Sequence, residues 1–178
     1  VAVDTETTSL DQTRAKLVGI SLSLEPGRAC YVPVAHVAPG SVSNPDLLSH
    51  DMSASVPGIP DQIPLQRALD ILKPLLTDPG VLKIGHNIKY DIVVFRRYGI
   101  NVSPVDDSML LSYVLEGGLH GHGMDELAER MLGHTTITFK DVTGAGKSQI
   151  TFDQVPLDIA LDYAAEYAEV TLRLHQIL

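Results

Sequence analysis

The most constraining feature of the sequence is a change of periodicity partway along it. Up to about Val34 the chain reads as extended: Val1-Ala2-Val3, Lys16 to Leu24 and Arg28 to Val34 are rich in β-branched residues, and Pro26-Gly27 predicts a hairpin between the last two. From Leu65 the apolar residues recur at helical spacing (Leu65, Ala68, Leu69, Leu72), stop at Asp78-Pro79-Gly80, and give way to another extended run at Val81 to Ile84. A hairpin followed by a helix and a returning strand implies an α/β fold with a mixed sheet. Further helices are predicted over Asn87 to Tyr98, Asp107 to Leu115 and Met124 to Leu132. A polar loop follows from Gly133 to Gln149. The final helix should run from about Pro156 to Leu178, with Asp153 or a neighbour as its cap. Between Ala38 and Pro64, Pro, Gly, Ser, Asn and Asp crowd together, which predicts a long, mobile surface excursion.

Length and composition narrow the class. At 178 residues with 44% hydrophobic content, one domain spanning 1–178 can bury its own core. The single cysteine, Cys30, excludes a disulfide framework and points to a reducing cytoplasm. No apolar run approaches the ~20 residues of a membrane span, so no membrane partner is expected. A net charge of −9 argues against a simple nucleic-acid clamp, whose affinity comes from Lys and Arg. It leaves two readings open: an ordinary acidic enzyme, or a nuclease whose carboxylates gather cations that then meet phosphates.

Three clusters could carry chemistry. The first strand ends in Asp4-Thr5-Glu6, and period-two alternation sends Asp4 and Glu6 to one side, where two carboxylates can share a divalent cation. An isolated D-x-E is more often a solvated strand end. The second cluster is Gly85-His86-Asn87-Ile88-Lys89-Tyr90-Asp91, entering a helix, with Asn87 and Asp91 one turn apart. Taken alone, Asn87 reads as an N-cap and Asp91 as a first-turn acid favoured by the helix dipole. In the third cluster, Tyr163-Ala164-Ala165-Glu166-Tyr167-Ala168-Glu169, the i, i+4 tyrosines share a helix face and suit core packing as well as chemistry.

In order, the strings DTETTSL, GHNIKYDIVVF and YAAEYAEVTLRLH resemble the three exonuclease motifs of the DEDD, or DnaQ-like, superfamily, in the branch found as the 3′→5′ proofreading domain of bacterial family A DNA polymerases. The stretches Met124 to Phe139 and Gly144 to Phe152 resemble that branch too, so the likeness covers essentially the whole chain. It implies a ribonuclease-H-like fold, a mixed sheet of about five strands flanked by helices, cut from a larger bacterial, cytoplasmic polymerase. It also implies hydrolysis of the 3′-terminal phosphodiester of DNA with two Mg²⁺ or Mn²⁺ ions. In that scheme Asp4, Glu6 and Asp91 are catalytic and metal-binding, Tyr163 is catalytic by orienting water, and Leu10 and Asn87 bind substrate. The implied partners are a single-stranded or frayed 3′ end of DNA and the polymerase domain of the same full-length chain.

The resemblance breaks at one position. Where its pattern Tyr-x-x-x-Asp has a metal-binding aspartate, this sequence has Tyr167. A phenol with a reference pKa of about 10 stays neutral at pH 7 and is bulkier than a carboxylate. At ~100° per residue, Glu166 points about 100° away around the helix and Asp162 and Glu169 further still, so no substitute is evident. The expectation is a weakened first metal position and impaired cleavage. The alternatives are a non-catalytic structural or single-strand-DNA-binding domain of the polymerase, and a ribonuclease D-like exoribonuclease.

Overall fold

The computed structural model describes residues 1–38 and 62–178. Most of the excursion expected at 38–64 therefore lies outside the described residues. Its far end is anchored where Gln62 exchanges two hydrogen bonds with the His36 backbone, Nε2 donating to the carbonyl at 2.9 Å and Oε1 accepting from the amide at 2.8 Å.

Five strands form one sheet. β1 (Ala2–Thr7) lies at its centre, flanked by the antiparallel hairpin β2 (Leu17–Glu25) and β3 (Arg28–Pro33) on one side and by parallel β4 (Lys83–Gly85) and β5 (Val105–Asp107) on the other, in the order β3-β2-β1-β4-β5. The hairpin turns at Gly27, whose φ of 78° suits glycine. β5 escapes the periodicity reading because it is three residues long and two of them are acidic. Six α-helices complete the described chain: α1 (Leu65–Thr77), α2 (Lys89–Arg97), α3 (Ser108–Glu116), α4 (Met124–Leu127), α5 (Phe139–Thr143) and α6 (Leu157–Ile177). A π-helical turn, Ala128–Leu132, continues α4 and ends at Gly133 in the left-handed conformation.

Each sheet face has its own core. Val3 and Ile20 pack with Leu69 and Leu76 of α1 and Val94 and Phe95 of α2. On the opposite face α6 crosses β1, β2 and β3, and Ala160, Tyr163 and Ala164 pack with Val18, Tyr31 and Phe152. A bulge separates the two sets: Glu6 pairs with Gly19 but Thr7 pairs with Leu17, so Val18 is skipped and joins the α6 side while Leu17 joins the other. Gly19 itself makes room for an aromatic ring. A Cβ there would lie 2.1 Å from the Tyr31 hydroxyl, which donates to His36 Nε2 at 2.7 Å.

Three predicted boundaries need correction. The loop expected from Gly133 to Gln149 contains α5, started by a reciprocal capping box in which Thr138 and Asp141 satisfy each other's backbone amides. Asp153 does not cap α6, which begins after Pro156 without a side-chain cap; Asp153 is instead buried in the 3₁₀ turn Phe152–Gln154. Asn87 precedes α2 rather than starting it, and sits at φ 62°.

Candidate active site

The register of β1 decides where its acids point. Asp4 lies opposite Ser21 and Glu6 opposite Gly19, the positions alongside Tyr31, so both carboxylates face α6 as strand alternation predicts. Thr5, between them, faces α2 and donates to Asp91 Oδ1 through its amide at 2.9 Å and its hydroxyl at 2.5 Å. The helix on one face and the strand on the other thereby bring all three acids to one pocket of about 450 Å³ at the end of β1.

Asn87 also lines this pocket, by a different route from the helical turn expected of it. The Asp107 carboxylate accepts from the amides of Asn87 at 2.9 Å and Ile88 at 3.1 Å. It also caps α3 by accepting from Met109 and Leu110. One buried side chain thus fixes the bend after β4 and the start of α3. Leu10 is 91% exposed at the pocket rim, on a turn that Tyr90 ties down by donating to the Ser9 carbonyl at 2.5 Å and pairing with the Thr7 hydroxyl. Tyr163 lines the pocket from α6, its ring packed on Phe139 and Phe152.

Electrostatically the site is short of positive charge. Burial, then repulsion from Asp91 and Glu6, holds the Asp4 carboxyl well above its usual range. Burial followed by the Asp91 charge pushes Glu6 up to about 8. Burial also raises Asp91 to about 7 against the opposing hydrogen bonds from Thr5. Hard carboxylate oxygens short of a cation fit Mg²⁺ or Mn²⁺ in donor type. As the side chains stand, no group of three or more His, Cys, Asp or Glu among the described residues is arranged to hold a metal ion.

Tyr167 projects from α6 into the same space. It lines the pocket with the acids and an adjoining one of about 410 Å³, with its ring 6.2 Å from Tyr163 and 6.5 Å, edge-on, from His86. Burial and the charges of Asp4, Asp91 and Glu6 drive its pKa further up, so the phenol stays protonated. The neighbouring acids are committed elsewhere. Glu166 accepts from the Ile137 amide at 2.7 Å and pairs with His134 at 2.8 Å, Glu169 accepts from Gly27 and pairs with Arg173, and Asp162 is exposed. His86 is held by Ser108, whose hydroxyl lies 2.9 Å from Nδ1, and its buried Nε2 has no hydrogen-bond partner among the described residues.

Sequence reasoning placed Asp4, Glu6, Asp91, Asn87, Leu10, Tyr163 and Tyr167, and the fold gathers all seven around one pocket. It missed Thr5, Tyr90, Phe139 and Asp107. Tyr90 and Thr5 stood inside the motifs; Asp107 showed only as the start of a helix, and its hold on Asn87 and Ile88, like the place of Phe139 beside Tyr163, depends on which elements become neighbours.

Residues 1–178 match the family model of the DNA polymerase A type described as 3′-5′ exonuclease. The chain belongs to that family. DNA polymerase I of Rhizobium leguminosarum is 48% identical over 187 residues, covering all of this chain and 17% of the relative. DNA polymerase I of Pseudomonas aeruginosa is 44% identical over 181 residues, covering all of this chain and 18% of the relative. The chain thus spans less than a fifth of the length of these curated relatives. Among solved structures, Brucella melitensis NrnC superposes with a TM-score of 0.66 at 20% identity, covering 99% of this chain and 69% of that one. Escherichia coli RNase D, an exoribonuclease, gives 0.59 at 20% identity over 99% of this chain and 37% of its own. These likenesses show a ribonuclease-H-like fold, a mixed five-stranded sheet flanked by helices. No described helix is long and apolar enough to cross a membrane.

Proposed function

We propose that this chain is the 3′→5′ proofreading domain of a DNA polymerase I, that its substrate is a single-stranded or frayed 3′ end of DNA, and that Tyr167 impairs its cleavage. The observation that carries this reading is the convergence of Asp4 and Glu6 from a strand and Asp91 from a helix, with Glu6 and Asp91 85 positions apart in sequence, on one pocket beside an exposed Leu10. Relatives that are DNA polymerases I across the whole of this chain favour DNA over the RNA of a ribonuclease D-like enzyme.

On this reading Asp4, Glu6 and Asp91 would hold Mg²⁺ or Mn²⁺, and bound ions would supply an activated water and neutralise the scissile phosphate. The protein's own residues do the positioning. Leu10 presents an apolar side chain to the terminal base, Asn87 stands on the rigid bend set by Asp107, and the Tyr163 hydroxyl orients the attacking water. A second reading is favoured by Tyr167 itself, a neutral ring in the midst of the carboxylates: the domain would bind 3′ ends, or brace the polymerase, without cleaving.

Degradation of single-stranded DNA and RNA oligonucleotides with Mn²⁺, by this chain and by Tyr167→Asp, separates the readings. Preference for DNA with a gain in Tyr167→Asp supports the proposal. Preference for RNA favours the ribonuclease D-like alternative, and binding of DNA without cleavage by either chain favours the non-catalytic one.

A further inference from the structure

The amphipathicity of α3 is inverted. Its fully buried residues are Ser108 and Ser112, which bond to His86 and His122 at 2.9 and 2.8 Å, while Leu110, Tyr113, Val114 and Leu115 are exposed. Leu119, just after the Gly117-Gly118 turn, is exposed as well. A helix that turns serines inward and its large apolar side chains outward contributes little to its own domain's core, and such a patch marks a place where another surface docks. Tyr113 is prepared for this role: His122, fixed by Ser112, meets its ring edge-on at 5.3 Å, so the aromatic is held before any partner arrives.

The occupant follows from charge and length. From Ser108 to Gly123 there is no Lys or Arg, and His120 is already paired with the one acid, Glu116, at 2.7 Å, so the face of α3 offers a phosphate backbone little free positive charge. The matched DNA polymerases I carry more than four fifths of their length outside the segment matching this chain. We infer that the outer face of α3, Leu110, Tyr113 and Val114, which stand at i, i+3 and i+4, is the surface on which an apolar face of the polymerase region of the same polypeptide docks. This rests on the proposal that the chain is a domain of such a polymerase. Covalent linkage makes the contact intramolecular, so a patch too small for a stable complex between separate chains suffices to set the domain's position.

The test is the rate of maleimide labelling of Val114→Cys, resolved by peptide mass spectrometry. It is measured in the 178-residue chain and in the longer polypeptide carrying the polymerase region. Val114 is exposed and outside the catalytic pocket, so the variant should keep the fold and any cleavage activity. Labelling should be fast in the 178-residue chain and at least ~10-fold slower in the longer polypeptide, as expected for a site at the centre of an interface. Equal rates in both would overturn the inference. So would slowing in the 178-residue chain that grows with its concentration, which would make the occupant a second copy, or slowing only when single-stranded DNA is added. Cleavage by Tyr167→Asp, followed in parallel, reports on the proofreading reading independently of this result.

Discussion

On the proposed reading, Tyr167 is the side chain that limits what the pocket can do. Its phenol is kept neutral by burial and by three carboxylates, and Glu166 is already engaged by Ile137 and His134. Tyr167→Asp should raise 3′→5′ cleavage of single-stranded DNA at least ~100-fold, because metal positioning and charge stabilisation are worth several kcal/mol in such chemistry. Equal and robust activity in both chains, measured by release of mononucleotides, would show that the missing carboxylate is dispensable. In the Tyr167→Asp background, Tyr163→Phe should lower the rate while leaving Mn²⁺ affinity, measured by calorimetry, nearly unchanged. A parallel loss of affinity would make Tyr163 part of the metal site rather than a positioner of water.

At the scale of elements, the site depends on how α2 and α3 begin. Asp107 accepts from the amides of Asn87, Ile88, Met109 and Leu110, so it both holds the bend that presents Asn87 and caps α3. Asp107→Ala should cost about 2 kcal/mol or more in urea unfolding, since a lost cap is worth ~1 kcal/mol and further buried amides lose their acceptor. Cleavage in the Tyr167→Asp background should fall as well, although Asp107 does not line the pocket. A stability loss confined to a few tenths of a kcal/mol would mean that water replaces the carboxylate without strain.

The charge state of the site should be visible in the stability of the whole molecule. Glu6 and Asp91 have folded-state values pushed up to about 8 and about 7, above those of an unfolded chain. Groups raised in this way contribute stability that is present at low pH and lost as pH rises through the folded value. Without divalent metal, the Tm should therefore be higher near pH 6 than near pH 8.5. The buried histidines His36 and His86, held below their usual value by burial, act in the opposite sense, weakening the fold as pH falls below about 6.5. Adding Mn²⁺ should raise the Tm mainly at the higher pH, where the carboxylates are charged. A Tm flat between pH 6 and 8.5 in thermal unfolding would show that the acids are better solvated than their burial implies.

The sequence by itself determined the class of fold, the hairpin around Pro26-Gly27, the long final helix and the identity of the pocket acids. These rest on local signals: strand alternation, helical periodicity, turn residues and contiguous motif strings. It did not yield β5, too short and acidic to show a period, nor α5, whose Thr138 and Asp141 capping box lay within a polar stretch. It did not show the left-handed backbone of Asn87, whose amide is held by a carboxylate 20 residues away. Nor could it show that α3 turns its serines inward, because that depends on His86 and His122 arriving from other segments. Apart from the capping box of α5, whose two residues stand three apart, these points were decided by the tertiary structure, since each is settled by a partner from another segment, and periodicity carries no information about partners.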